Sequence, residues 1–321
     1  MTRKAFTAIV LSLLALAACR SNRTAPEPSA PVRPFKMAEI PSLIDSQEAF
    51  NEFLLDHYWD NVLDTSKKGF RSDSLYIAGI EKGEFEQAFS NYTLVLDNNP
   101  IQNAYKAMEK LFGKAELYNR ADTSSNLYTS LVEIAERYLY DPNSPVRNEE
   151  YFLACAKSAS ASERLSEVER MKFAHFAVRC SLNRPGTQAA DFVFTDKDGR
   201  NRSLYSIKAD HTVLFFSNPG CTACKAIIET LNNSEKVGSM LDSGELAVVN
   251  VYIDEDVAAW RSYMPIYSEK WYNGYDANLV VRSEDLYDAR AIPSLYLLDR
   301  DKKVILKDAP EEKLFAALEK L

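Results

Sequence analysis

The chain has 321 residues, 46% of them hydrophobic, and a formal net charge of −8. That is more than one average domain and enough apolar mass for two cores. No basic block of five or more residues occurs anywhere, which excludes nucleic acid as a partner, because phosphate contacts need clustered Lys and Arg.

The first segment reads as an address. Arg3 and Lys4 precede a 14-residue apolar run, "AFTAIVLSLLALAA", that ends at Cys19. A spanning helix needs about 20 apolar residues, so residues 1–18 are expected to be a secretory signal. Leu16 to Cys19, "LAAC", resembles the lipobox of bacterial lipoproteins, which implies that Cys19 is lipidated and becomes the first residue. Losing Arg3 and Lys4 with the signal takes the charge from −8 to −10. The expected location is periplasm-facing and lipid-anchored to the cell membrane, inner or outer not being specified, where disulfides persist. Pro26, Pro28, Pro31, Pro34 and Pro41 then mark residues 19–41 as a tether. At about 3.1 Å per residue it would reach roughly 60–70 Å.

Residues 42–183 have helical period. Phe50, Phe53, Leu54 and His57 with Tyr58 form one stripe, and Phe85, Ala88, Phe89 and Tyr92 another. Pro100 stands at a helix start, where its missing N–H does no harm, ahead of Ile101, Ala104, Tyr105, Met108 and Leu111. Leu127, Leu131, Ile134 and Tyr138 give another helix, stopped by "DPNSP". Two more are expected over about Asn148–Ser158 and Glu163–Cys180. About six helices in all predict an all-α domain of bundle or stacked-hairpin type; no constant repeat period is present.

Arg184-Pro185-Gly186 changes the pattern, and residues 184–321 form the second expected domain. "FVFTDKDGRNRSLYSI" predicts a hairpin turning at Asp198-Gly199. A strand (Thr212–Ser217), a helix (about Cys221–Met240), a strand (Leu246–Asp254) and a helix (about Val257–Ile266) follow. A short helix near Glu284–Tyr287, the strands "SLYLLD" and "KVILKD", and a helix over Glu311–Leu321 complete it. Strands alternating with helices predict an α/β sandwich with a mixed sheet, so the whole is an all-α domain followed by an α/β domain.

The chemistry lies at Cys221-Thr-Ala-Cys224, after a strand and opening a helix. A Cys at a helix start sees unpaired backbone N–H groups and the positive end of the macrodipole, and both stabilise a thiolate. Lowering its pKa from about 8.5 to about 7 raises the thiolate fraction at pH 7 from a few per cent to about half. Cys224 lies one turn on, placed to attack a mixed disulfide at Cys221. Pro219-Gly220 makes the loop that exposes the first sulfur.

The opening "ADFVFTDKDGRNRSLYSI", the strand–Cys-x-x-Cys–helix unit and "AIPSLYLLDRDKKVILKD" resemble the thioredoxin fold, more closely its extracytoplasmic TlpA-like branch. The resemblance covers about Pro185 to Leu321. It implies a thiol–disulfide oxidoreductase acting on protein thiols and disulfides, with an unidentified electron partner and no cofactor beyond the Cys221–Cys224 pair. It further implies that Ile292-Pro293 is a cis peptide facing the pair, with the Ile292 backbone pairing to substrate and Gly220 beside it. "FLLDHYWDNVLDT" and "EFEQAFSNY" resemble a helical domain of uncharacterised function found before thioredoxin-like domains in bacterial lipoproteins. Two positions depart from the pattern. Phe215 stands where many thioredoxins bury a carboxylate, and Gly220 where they carry a tryptophan.

Other readings compete. The fold could serve as a binding module with a permanent disulfide, or handle Cu(I) through Cys221, Cys224 and a distant His. A zinc site lacks its second half, so no metal is assigned. His211 reads as a surface residue at the far end of its strand. Cys155 and Cys180 are expected to be buried free thiols: in a helical hairpin turning near Ala161 they would lie roughly 20 Å apart, beyond the ~7 Å a disulfide allows. "HYWD" (His57–Asp60) reads as core or cap, His175 as core or boundary, and the aromatic stretch Trp260–Tyr275 as packing, with a substrate groove as its alternative.

Overall fold

The computed structural model describes residues 30–321. The signal segment and Cys19 lie outside them. Helix α1 (Gln47–His57) begins at Ser46, whose hydroxyl accepts from the Ala49 N–H. A small hairpin of β1 (Tyr76–Ile77) and β2 (Ile80–Glu81) leads into α2 (Lys82–Asp97) and α3 (Ile101–Ala121), which starts after Pro100 as its fixed φ favours. Helix α4 (Leu127–Ala135) runs into a π-helical turn at Glu136–Tyr140, and α5 (Glu149–Ala161) pairs with α6 (Glu167–Cys180). A reciprocal capping box, Ser166 with Glu169, fixes the start of α6. One apolar core joins these helices, and Phe35 and Met37 pack on it.

The expected tether is therefore shorter than residues 19–41. Arg33 is half-buried against the helical half: its guanidinium donates to the carbonyls of Ala78 (2.9 Å) and Val62 (3.0 Å), and its ring neighbour is Phe70. The Phe35 ring packs tilted against Tyr58 and edge-on against Trp59, with centroids 5.5 Å apart in each pair. A proline-rich composition hid two side chains that each have a built receptor.

The second half is one seven-stranded sheet. Its strands are β3 (Val193–Asp196), β4 (Asn201–Ser203), β5 (His211–Phe216), β6 (Leu246–Tyr252), β7 (Tyr272–Tyr275), β8 (Ser294–Leu298) and β9 (Val304–Leu306). The order is β4-β3-β7-β6-β5-β8-β9, with β5, β6 and β7 parallel and the rest antiparallel. Alternation on β5 divides the cores: Val213 and Phe215 face one layer, Leu214 and Phe216 the other. Helices α7 (Thr222–Asn233), α8 (Glu235–Ser243), α9 (Val257–Tyr263) and α11 (Glu311–Leu318) contribute to the first layer, and α10 (Val280–Ser283) to the second.

Three element assignments change. The helix expected over Cys221–Met240 breaks at Ser234, which caps the end of α7 and, through its hydroxyl, the start of α8. The short helix falls at Val280–Ser283, not Glu284–Tyr287, because Asp276 accepts from the Val281 N–H and sets its start. Strand β7 lies in the stretch expected to be aromatic packing or a substrate groove. Gly274 permits it: a Cβ there would meet the Phe194 ring at 2.4 Å and the Thr195 carbonyl at 2.8 Å.

The two halves meet through charge. Lys307, 2% exposed at its side chain, donates to the carbonyls of Cys180 (2.8 Å) and Leu182 (2.5 Å) at the end of α6 and pairs with Glu149 of α5 at 2.7 Å. Arg290 pairs with Glu149 and with Asp288 (3.0 Å), and lies 4.0 Å from the Tyr140 ring. Arg179 reaches Asp288 at 3.0 Å. Burial works against the Arg290 charge, but the carboxylates of Glu149, Asp308 and Asp288 outweigh it and raise its pKa.

Candidate redox site

Strand β5 delivers the chain to the site, and a clamped loop turns it. The Ser217 hydroxyl donates to Asn250 (2.6 Å) and the Asn218 amide to Asp254 (2.6 Å), which tie the loop to the end of β6. Gly220 has φ +77°, the left-handed region that L side chains avoid. A tryptophan in this backbone conformation would be strained. Cys221 is then the N-cap of α7, and its sulfur accepts from the Cys224 N–H at 3.1 Å. A helix N-terminus aims such unpaired N–H groups at whatever precedes it.

Cys221 and Cys224 are joined as a disulfide with Cα atoms 5.2 Å apart. Cys221 is half-buried and Cys224 fully buried, so only the first sulfur is open to a partner. The Ile292-Pro293 peptide is cis, and the Cys221 sulfur lies 3.9 Å from the Ile292 carbonyl oxygen. The structure thus brings together the positions expected from sequence: Gly220, Cys221, Cys224, Ile292 and Pro293. Phe215 is buried in the same apolar cluster as Cys224 and provides no proton acceptor.

His211 begins β5, at the opposite end from the pair. The length of β5, six residues or roughly 20 Å, lies between its start and the pair, so His211 cannot join the thiols around a metal. Among the described residues no group of three or more His, Cys, Asp or Glu is arranged for a metal ion. Trp260, Tyr267 and Trp271 are buried in the core behind the site, so the aromatic stretch packs the domain. His57 contacts Asp60 at 2.7 Å while Tyr58 and Trp59 enter the helical core, the structural role expected for "HYWD".

Cys155 and Cys180 are free and buried. The hairpin turns at residues 162–166, later than Ala161, and still no bridge joins them. Burial pushes the Cys155 thiol well above its ordinary pKa and raises Cys180 in the same way.

Sequence reasoning missed the cleft beside the pair. It has a volume of about 370 Å³ and is bounded by Ala223 and Ile227 of α7, by Ile292-Pro293, and by residues 142–147 of the helical half. Asp308 lies in its wall. Burial, reinforced by Glu149, lifts the Asp308 carboxyl to about 7 against the opposing pull of Arg290 and Arg147. No sequence signal marked this residue, because Glu149 and Arg147, which set its surroundings with Arg290, are about 160 positions away.

The domain of unknown function (DUF5106) matches residues 17–181. A crystal structure of a thioredoxin-like protein from Bacteroides caccae is similar at 34% identity and a TM-score of 0.76, covering 89% of this chain and 98% of that one. The C-terminal domain of an uncharacterised Bacteroides fragilis protein shares 42% identity over 43% of this chain and 98% of its own, with a TM-score of 0.41. Among curated proteins none matches.

Proposed function

Because the chain belongs to the TlpA-like thioredoxin-fold proteins that carry a DUF5106 domain at their N-terminus, we propose that it is a thiol–disulfide oxidoreductase working through Cys221 and Cys224. In the reducing direction the Cys221 thiolate attacks one sulfur of a substrate disulfide. The substrate's S–S bond breaks, a mixed disulfide forms and one substrate thiolate leaves. Cys224 loses its proton and attacks the Cys221 sulfur, which releases the second substrate thiolate and closes the pair. Two electrons pass from the pair to the substrate, and a dithiol partner must restore them. In the oxidising direction the same steps run backwards. The Ile292 backbone is proposed to align the substrate strand beside Pro293.

One observation carries this reading: an accessible sulfur at the N-cap of α7, accepting from a backbone N–H, with its twin buried underneath. Insulin reduction is the test. Wild type should far outpace a Cys221→Ser variant, and equal rates contradict the proposal.

A second reading has Phe215 in its favour, since an apolar residue beside Cys224 gives the resolving thiol no general base. Under it the pair is a permanent disulfide in a binding module. A reduction potential below about −300 mV would support that reading instead.

We further propose that Cys19 is lipidated and holds the protein on a periplasm-facing membrane surface. The support is sequence alone, "LAAC" behind a short apolar run; among the described residues no helix is long and apolar enough to cross a membrane. With the chain anchored on the helices from Pro31 onward, twelve residues of tether remain, about 35–40 Å. Cys19→Ala should move the protein from membrane to soluble fraction. Unchanged membrane association would contradict the anchor.

A further inference from the structure

We propose that the cleft beside the redox pair is a substrate-selectivity site, shared by the two halves of the molecule, that takes a cationic side chain next to the cysteine under attack. The inference rests on the oxidoreductase reading and names the class of protein segment that reading prefers.

Position comes first. Ala223, which is exposed between the two cysteines, Ile227 one turn further, and Ile292-Pro293 form one wall. A segment whose cysteine is bonded to Cys221 and whose backbone lies along Ile292 must place a neighbouring side chain over this cleft. The opposite wall is Pro142, Asn143, Ser144 and Pro145 of the helical half. That wall is fixed: the Ser144 hydroxyl donates to the Tyr138 carbonyl (2.6 Å), Arg290 to the Tyr140 carbonyl (3.0 Å) and Arg147 to the Ala309 carbonyl (3.2 Å).

Charge comes second. The lining holds Asp308, Glu311 and Glu312 against Arg147 alone. Arg147 is 14% exposed at its side chain and turned to Ala309 and Asp308. Glu311 and Glu312 form no ion pair among the described residues, although their place in the first turn of α11 suits the helix dipole. The cleft is therefore acidic at its mouth.

The floor supplies an independent sign. Asp308 is 6% exposed at its side chain, and its cationic neighbours stand off at 3.6 Å (Arg290) and 3.8 Å (Arg147). The Ser294 hydroxyl beside it is fully buried behind the cleft lining. Buried polar groups left short of partners are costly. An ammonium or guanidinium entering the cleft donates several hydrogen bonds, which is what this floor lacks.

Short peptides carrying one cysteine, as mixed disulfides with a chromogenic thiol, test the idea on the reduced full chain. Lys, Gln or Glu flanks the cysteine, and each rate is divided by the rate with dithiothreitol to remove intrinsic reactivity. The normalised order should be Lys over Gln over Glu, with Lys ahead of Glu by about fivefold and the gap narrowing in high salt. Asp308→Asn and, separately, the double change Glu311→Gln with Glu312→Gln should each shrink the Lys-to-Glu ratio. The surface pair keeps the test open if the buried variant folds poorly. Equal normalised rates, or a ratio untouched by the Glu311/Glu312 change, overturn the inference and leave the redox reading standing. No exchange with any peptide overturns both.

Discussion

The α5–α6 hairpin and the β5–α7 junction each hold two cysteines, and they use them in opposite ways. In the hairpin, Cys155 and Cys180 sit within helices, fully buried, with their thiols pushed up by burial. At the junction, Cys221 occupies the N-cap, where backbone N–H groups point at its sulfur. The same side chain is a small hydrophobe in one place and a nucleophile in the other. What the hairpin contributes to the site is charge: Glu149 opens α5, and the carbonyls of Cys180 and Leu182 hold Lys307.

The largest expected effect separates the two cysteine pairs. Cys221→Ser should reduce disulfide exchange to background, while Cys155→Ala and Cys180→Ala each leave it within about twofold, because only the thiolate attacks and burial keeps those thiols protonated. Loss of activity in either hairpin variant at unchanged fold would erase the distinction. Alkylation sharpens it. In the reduced native protein Cys221 should react with iodoacetamide at least about 100-fold faster than Cys155 or Cys180, as followed by mass spectrometry of the labelled peptides. Comparable rates would mean the hairpin core opens readily.

The next effect is on stability. Lys307→Met leaves Glu149 with one cation fewer in a buried setting, and breaking such a pair costs about 3 kcal/mol. Urea unfolding should show it, with a lower midpoint than wild type. A wild-type midpoint would mean the junction gains nothing from this ion pair.

The smallest effect concerns pH. Asp308 has a folded-state pKa of about 7, above the roughly 3.9 of an unfolded Asp. The folded protein therefore holds this proton more tightly, and wild-type stability falls as pH rises through that interval. The groups facing it are Glu149 from α5, Arg147 from the loop before it, Arg290 and Ser294. Asp308→Asn cannot ionise, so its stability relative to wild type should improve between pH 5 and pH 8, by something on the order of 2 kcal/mol. A difference that stays flat with pH would show that Asp308 is already ionised at pH 5.

Local signals carried much of this architecture. The Asp198-Gly199 hairpin, strand β5 and the Cys-x-x-Cys helix start are written in runs of a few residues, and the structure has all of them; the cis Ile292-Pro293 peptide, also present, is implied by the thioredoxin resemblance and not by its own residues. Cys155 and Cys180 are free as expected, but the turn at residues 162–166 brings them closer together than the separation on which that expectation rests. The elements that were not legible depend on distant partners. Tyr272–Tyr275 becomes a strand only because β6 and β3 flank it and Gly274 admits the Phe194 ring. Arg33 and Phe35 look like part of a spacer until their receptors at Ala78, Val62 and Tyr58 are folded. Asp308 and Lys307 read as the polar end of a strand, yet Glu149, some 160 positions earlier, decides their environment.

Titrating the Cys221 thiol in the reduced protein, by thiolate absorbance with Cys221→Ser as the blank, tests the central claim most directly. The account predicts a midpoint near pH 7, held down by the helix N-terminus; ionisation at about 8.5, the value of an ordinary free thiol, would contradict it.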